Sequence, residues 1–448
     1  MITILGAGLA GLSCSYHLGH QKCVVFEADS SPGGHIQSHE KNGCIWDQGP
    51  HVSFTKNNYV KKLFEDFSSG DFLSYKSNIG NYYYGAWIPH PAQSNLFAVP
   101  EPLRSKCVES FQARNQRSAG SYEVKNYEDW LITAFGSVFS SEFPALYTKK
   151  YWTVEPDKLT TDWVGGRVFR PDFNGVIDGS RAPSDQGNHY IQEVRYPKHG
   201  GYFSYAKGFI SGANIKTSHR VISINLDRQE ILFSNGEQHT YEKLINTIPL
   251  PEFVKLCSPP ESVRLASEQL NCTSLLLVNV VAAHKTMKPY HWMYVYDKDM
   301  LSTRVSCIEA ISSNSVPAGK TALQVEVYGS RYKPFDLSYD EIGKIVCKEL
   351  IKMGFVNSIE SYHTQFIQYA NVVFDHSRRE SLDCILDWLS RYGLVRESDD
   401  LDAMTEWGGS STYVFNKIAL AGRFGQWKYF WSDDCVLRGR QIASYLIS

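Results

Sequence analysis

The residues best suited to chemistry stand at the start of the chain. Gly6, Gly8 and Gly11 form a G-x-G-x-x-G pattern, with Ala10 inside it, directly after the apolar run 2–5. The first glycine permits a tight turn, the second lets the backbone approach a pyrophosphate, and the third lets a helix pack closely on a strand. A helix starting there aims free N–H groups at the anion. Glu27 follows Gly6 by 21 residues, at the end of the apolar run 23–26, where a carboxylate can accept from ribose hydroxyls. The glycine pattern alone has an ordinary structural reading. Strand, glycines, helix, strand and terminal acid together predict dinucleotide binding. Ser31-Pro32-Gly33-Gly34 comes next: its glycine pair either passes close to the cofactor phosphates or forms an ordinary turn. At the other end, 420–425 (LAGRFG) reads as a strand entering a glycine-punctuated loop before a last helix. Such a return to the N-terminal unit suits a cofactor long enough to lie across both, which favours FAD over NAD.

The elements that must position these groups follow from periodicity. Segments 2–5, 9–18 and 23–27 form a βαβ start. Strands are expected at 44–46 and 82–87. From 100 to 163 apolar residues recur at helical spacing, predicting a helical insertion with helices at 103–116, 127–135 and 143–151. Segments 221–225, 231–233 and 244–247 read as a meander, and 275–283, 293–296 and 322–328 as longer strands of a second sheet. Helices are expected at 339–353, 381–392 and 435–446, a strand at 418–421, and an exposed loop at 312–319 (SSNSVPAG). The fold class is therefore α/β: a split Rossmann-like FAD-binding domain, a helical insertion domain and an antiparallel β-sheet substrate domain. The expected boundaries are 1–75, 201–250 and 385–448 for the FAD-binding parts, 91–172 for the helices, and 76–90, 173–200 and 251–384 for the sheet domain.

Composition narrows the function classes. The 448 residues carry 45 Lys+Arg against 47 Asp+Glu, a net charge of -2, which disfavours a nucleic-acid partner. No C-x-x-C occurs among the ten cysteines, so zinc ribbons and thioredoxin-like pairs are disfavoured and no metal site is expected. The longest apolar run, 274–283, is half the ~20 residues that span a bilayer. No signal peptide is visible, and a cytoplasmic location is expected.

The N-terminal block resembles flavoproteins of the amine oxidase and protoporphyrinogen oxidase type. Later patches resemble the UDP-galactopyranose mutase family, especially its eukaryotic form: 46–54 (WDQGPHVSF), 87–95 (WIPHPAQSN), 151–168 (YWTVEPDKLTTDWVGGRV), 195–201 (RYPKHGG), Arg304 after a strand with Trp292 and Tyr294, and 422–429 (GRFGQWKY). The resemblance implies interconversion of pyranose and furanose forms of a nucleotide-diphosphate sugar, with the N5 of reduced FAD as nucleophile on the anomeric carbon. NADPH or NADH is the implied reductant, and a homo-oligomer is left open.

The same resemblance implies residue roles. Arg167 and Arg304 match the diphosphate clamp, a task suited to planar guanidinium groups, with Tyr369 and Tyr429 beside them. His51 follows Gly49-Pro50 in a segment like the family's mobile loop at the flavin; Pro50 replaces a glycine there, which puts a flavin-coupled peptide flip in question. Gly422, Arg423 and Ser432 fall near the flavin and Val221 near the adenine, Arg423 serving either the flavin or a structural ion pair. Trp292 and Tyr294 fall at the sugar. The base end departs from the family: His90 stands for a stacking tyrosine, Ala92 for a phenylalanine and Thr148 for an asparagine, whereas Gln93 and Trp152 are retained. Asn78 stands for an arginine on the sugar side. Diphosphate and flavin chemistry are thus expected to persist while uracil and galactose do not follow, leaving open a thymidine- or guanosine-diphosphate deoxysugar. The competing readings are a flavin oxidase or dehydrogenase of the amine oxidase type and a non-enzymatic nucleotide-binding module.

Overall fold

The structure is a computed structural model that describes residues 1–118, 123–183, 193–286, 288, 290–397 and 415–444. The predicted βαβ start forms the centre of a five-stranded parallel sheet. Ile2–Leu5 lies between Cys23–Phe26 on one side and Lys243–Asn246 on the other, with Ile215–Lys216 and Ile418–Leu420 at the edges. Every residue of Cys23–Phe26 is buried, as a strand covered on both faces requires. Helix Leu9–Leu18 covers one face. The last helix, Ser432–Ser444, packs against it so tightly that a Cβ on Gly439 would lie 2.3 Å from Ser13 Oγ. The tail therefore completes the N-terminal unit.

A second sheet of seven strands runs in the order Ser361–Val372, Cys272–Ala282, Thr321–Gly329, Arg304–Cys307, Trp292–Val295, Ile79–Tyr83 and Ala86–Pro89. It is antiparallel except where Trp292–Val295 runs parallel to Ile79–Tyr83. Helices Leu103–Ser118, Tyr127–Phe135, Ser137–Glu142 and Pro144–Tyr151 form the expected helical layer. Phe111, Leu131, Phe139 and Phe143 are its buried face. Asn126 caps the second of these helices by accepting from Asp129 N–H at 2.9 Å.

Three sequence expectations are corrected. Segment 82–87 is a hairpin rather than a strand, because Tyr84 and Gly85 both have positive φ, the geometry of a two-residue hairpin turn. The third strand of the meander is Gln238–Thr240, not 244–247. Its polar side chains give no apolar signal, whereas Lys243–Asn246, which carries that signal, belongs to the buried parallel sheet. Segment 312–319 is not simply an exposed loop. Ser312, Ser315 and Val316 are buried, with Val316 packed in a cluster with Cys44 and Trp46.

Candidate active site

The N-terminal glycines form a cradle. Gly6 has φ +96, and a Cβ there would lie 2.5 Å from Thr247 Oγ1, so the turn admits no side chain. Gly33 N–H donates to Ala7 O at 2.8 Å, and a Cβ on Gly34 would lie 3.1 Å from Gly8 Cα, so the glycine pair lies directly against the G-x-G turn. Glu27 Oε2 accepts from Ala7 N–H at 2.7 Å and Oε1 from Asp29 N–H at 3.0 Å, which leaves lone pairs on both oxygens for a ribose. His219 N–H donates to Glu27 O at 2.7 Å, which brings the neighbouring strand that starts at Val221 close to this end. The C-terminal loop crosses the start of the helix: a Cβ on Gly422 would lie 2.8 Å from that of Ala10. Open backbone over Gly8, free helix-start amides and the carboxylate of Glu27 together fit the dinucleotide of FAD.

From this cradle a cavity of about 580 Å³ runs between the large sheet and the helical layer. Gly6, Gly8, Ala10, Gly33, Gly34, Gly49, Gly422, Arg423 and Ser432 line it at the cradle end, and His51, His90, Gln93, Thr148, Trp152, Arg167, Trp292, Tyr294, Arg304, Tyr369 and Tyr429 farther along. Gly11, Glu27 and Val221 lie outside its lining, in the fold behind the cradle. Asn78 is also outside, contrary to the expected sugar contact. It precedes the strand Ile79–Tyr83, and its N–H donates to His291 Nδ1 at 2.7 Å while its carbonyl accepts from His291 N–H at 2.8 Å. The Asn78 backbone fastens the sheet.

Sheet register explains how the charged centre is built. In the antiparallel pairing Arg304 lies directly opposite Glu326 on one side and Tyr294 on the other. Residues opposite each other share a face, so all three point into the cavity. Arg304 binds Glu326 through two parallel bonds, Nε to Oε2 at 2.5 Å and Nη2 to Oε1 at 2.7 Å. Burial opposes the charge on Arg304, but Glu326 more than restores it, and the guanidinium stays protonated. Trp292 and Tyr294, two apart on one strand, project to the same side. Trp292 Nε1–H donates to Tyr294 Oη at 3.2 Å, and the Tyr294 ring lies 5.0 Å from that of His90.

Arg167 comes from the opposite wall. Its Nη2 donates to Tyr429 O at 3.0 Å, and its guanidinium lies over the rings of Tyr429 and Trp431 at 5.2 and 4.9 Å. Its buried Nε has no protein acceptor among the described residues. Arg423 donates to the carbonyls of Phe430 and Ala370 at 2.7 and 3.1 Å, so it braces backbone at the cavity wall. The Tyr369 hydroxyl is spent on Glu252 at 2.7 Å, and that of Thr148 on Pro144 O at 2.7 Å, four residues back in its helix. Gln93 Nε2 donates to Phe169 O at 3.0 Å, and the Ser432 hydroxyl pairs with Tyr202 at 2.8 Å. Trp152 packs between Trp163 and Tyr429, at 5.0 and 5.6 Å.

Several lining residues escaped sequence reasoning. Glu326, Tyr147, Tyr151, Tyr328 and Asn371 sit in strands and a helix whose apolar pattern reads as core. The signal for Glu326 is a lone acid within the apolar run 322–328. His35, directly after the glycine pair, was open to detection from that position.

His51 Nδ1–H donates to Gly49 O at 2.9 Å, which leaves Nε2 as an acceptor, and its ring stacks on Tyr202 at 5.2 Å. Burial lowers His51 from 6.5 to about 3, helped by His35 and Arg423, and lowers His35 to about 4. Both are neutral imidazoles at pH 7. Their folded values lie below the unfolded value, so their contribution to stability is present above pH 6.5 and is lost as pH falls toward 4 and 3. Each proton taken up on unfolding steepens the loss by about 1.4 kcal/mol per pH unit. Asp47, raised by burial to about 6, acts with the opposite sign over part of that window. The expected result is a fall in Tm between pH 7 and pH 4.5 that is shallower in His51→Asn. An equal pH slope in that variant would show that His51 is not held neutral.

Residues 9–381 match the family model described as flavin containing amine oxidoreductase. The chain belongs to that family. That family is flavin-containing, in keeping with the dinucleotide cradle. Among solved structures it is similar to reduced UDP-galactopyranose mutase, with a TM-score of 0.88 and 22% identity, over 100% of this chain and 93% of that one. Among characterised sequences it is 36% identical over 69 residues to coproporphyrinogen III oxidase of Staphylococcus aureus, 14% of this chain and 15% of that protein. It is also 36% identical over 67 residues to protoporphyrinogen oxidase 2 of Arabidopsis thaliana, 14% of this chain and 13% of that protein. The chain thus spans 15% and 13% of the length of these curated relatives. Among the described residues no helix is long and apolar enough to cross a membrane.

Proposed function

We propose that the enzyme is a nucleotide-sugar mutase that interconverts pyranose and furanose forms. The observation that carries this reading is the charge of the cavity: three arginines, Arg167, Arg304 and Arg423, against the single carboxylate of Glu326 among the charged lining residues. The proposed clamp for a dianionic diphosphate is Arg167, which gives one N–H to Tyr429 O, and Arg304, which gives two to Glu326, while Arg423 braces backbone through Nε and Nη1. The likeness in fold to reduced UDP-galactopyranose mutase supports it. Bound reduced FAD, with NADPH or NADH as the proposed reductant, supplies the nucleophile for the anomeric carbon.

The chain's own residues then do three things. Arg167 and Arg304 stabilise the charge that grows on the diphosphate as the anomeric C–O bond breaks. Neutral His51 offers a lone pair at Nε2 beside the flavin-binding cradle without adding charge. The aromatic wall of Trp152, Trp163, Tyr294 and Tyr429 excludes water, which strengthens the clamp and protects the sugar from hydrolysis. Arg423, Tyr369 and Ser432 hold the walls through the bonds described above. At the base end, Thr148 gives its hydroxyl proton to its own helix, whereas Gln93 uses one amide N–H on Phe169 O and carries a second N–H and its Oε1 for a base. The base and sugar are left to the panel below.

Arg167→Ala is expected to lower kcat by on the order of 10²-fold with the flavin retained, and Arg167→Lys to recover part, since an ammonium cannot make the planar two-point contact. The central experiment incubates dithionite-reduced enzyme with uridine-, thymidine- and guanosine-diphosphate sugars and follows furanose formation by NMR. A second reading, a flavin oxidase, is favoured by the match to coproporphyrinogen III oxidase. Oxygen consumption with peroxide formation on a porphyrinogen or an amine, and no furanose from any nucleotide sugar, would establish it instead.

A further inference from the structure

His51 lines the cavity, and the residues that hold it lie behind the lining. The segment 49–52 is pinned at both ends. On one side Gln48 N–H donates to Gln37 O at 3.1 Å, and on the other Ser53 and Arg195 exchange backbone bonds at 2.9 and 2.7 Å. Inside the segment Pro50 has a fixed φ and no N–H, and Nδ1–H of His51 donates to Gly49 O. One hydrogen bond fixes one atom of an imidazole. The plane of the ring needs a second support.

Tyr202 supplies that support. The two rings stack at 5.2 Å with their planes 29° apart. Tyr202 is 1% exposed and stands outside the cavity lining, so it acts only through its neighbours. It is fastened at both ends: its N–H donates to Asp47 Oδ1 at 3.0 Å, and its hydroxyl pairs with that of Ser432 at 2.8 Å. Tyr205 meets the ring edge-on at 5.3 Å. Asp47 also accepts from the hydroxyls of Ser38 and Tyr196, at 2.5 and 2.7 Å. One carboxylate thus ties the hairpin that leads into His51 to the strand Glu193–Pro197 and the turn that leads into Tyr202. Gly201 has φ +71, and a Cβ there would lie 2.3 Å from Ser38 Oγ, so the approach of Tyr202 N–H to Asp47 requires glycine. Burial, His35, Arg423 and Arg304 all disfavour protonation of His51. With Nδ1–H given to Gly49, a ring held in this plane has one tautomer and a lone pair at Nε2.

We infer that Tyr202 is a positioning residue: its buried ring, fastened by Asp47 and Ser432, holds His51 in one orientation and one tautomer, with Nε2 left as an acceptor at the flavin end of the cavity. This goes beyond the mutase reading and holds equally for an oxidase. The test is NMR of FAD-loaded protein labelled with ¹⁵N in histidine, with the His51 signals assigned by their absence in His51→Asn. Tyr202→Phe keeps the ring, Tyr202→Met fills the space with a flexible chain, and the flavin spectrum and Tm report on the fold. At pH 7 wild type should show His51 as the Nδ1–H tautomer alone, with a nuclear Overhauser contact to the Tyr202 ring. Both should be unchanged when dithionite reduces the flavin. Tyr202→Phe should keep the single tautomer, and Tyr202→Met should lose it to a mixture in which Nε2–H is well populated. A Tyr202→Met protein with the wild-type tautomer, or a Tyr202→Phe protein without it, would overturn the assignment to the ring and leave the mutase reading standing. If Tyr202→Met does not retain its flavin, wild type decides. An Nε2–H tautomer, no contact between the two rings, or a change of tautomer on reduction would each overturn the inference.

Discussion

Arg304→Ala is expected to lower turnover of the nucleotide sugar by about 10²–10³-fold, the usual cost of deleting a preorganised charge at a developing anion. The same change acts on stability, because Glu326 has a 2% exposed side chain and its carboxylate is held by two bonds from Arg304. Removing one partner of a buried pair costs about 3–5 kcal/mol, at the lower end here because Arg304 is 22% exposed. A fall in Tm should therefore accompany the loss of activity. The double variant Arg304→Ala/Glu326→Gln separates the two effects. It removes the uncompensated charge, so Tm should return most of the way to wild type while turnover stays low. Both proteins should keep their flavin, because neither residue lies in the glycine cradle. Assays use reduced enzyme, with kcat and KM measured separately. If the double variant regains wild-type turnover, Arg304 acts only through Glu326 and the diphosphate clamp fails.

Gly8→Ala and Gly11→Ala, changes three residues apart in one motif, should have opposite consequences for folding. A Cβ on Gly11 would lie 2.0 Å from Gly6 O and 3.3 Å from Ile4 Cγ2, inside the seam between the first strand and its helix. Backbone must move there, and Gly11→Ala should lose both the fold of the N-terminal unit and its FAD. A Cβ on Gly8 meets nothing within 4 Å, and Gly8 has φ -72, which any residue adopts. Gly8→Ala should therefore fold, with an apoprotein Tm within about 2 °C of wild type, the shift of an ordinary surface substitution. Its FAD affinity should nevertheless fall by at least tenfold, because the methyl group occupies the approach to the pyrophosphate. Circular dichroism, Tm and flavin titration of the two apoproteins check this. A Gly8→Ala protein that binds FAD like wild type would show that the cofactor does not pass over Gly8.

The first thirty residues determine their own structure. Apolar runs of four residues, a glycine at each forced position and a terminal acid are local features, and the parallel sheet places Ala7 N–H on Glu27 accordingly. The helical layer was legible for the same reason, since helical spacing is read within one segment. The first strand's partner on its other side was not. Lys243–Asn246 lies over 200 residues away and carries the same apolar signal as a meander strand, so only the packed sheet separates the two. The family resemblance likewise pointed to Arg304 and Arg167 but could not say what holds them. The pairing of Arg304 with Glu326 follows from the register of two antiparallel strands, and register is set by which faces become buried, not by either strand alone. The commitment of Tyr369 to Glu252 and of Thr148 to its own helix removes hydroxyls that their types alone offered to a ligand. Whether a polar atom is spent depends on neighbours brought together from distant segments, and that is the part of the site only the tertiary structure decides.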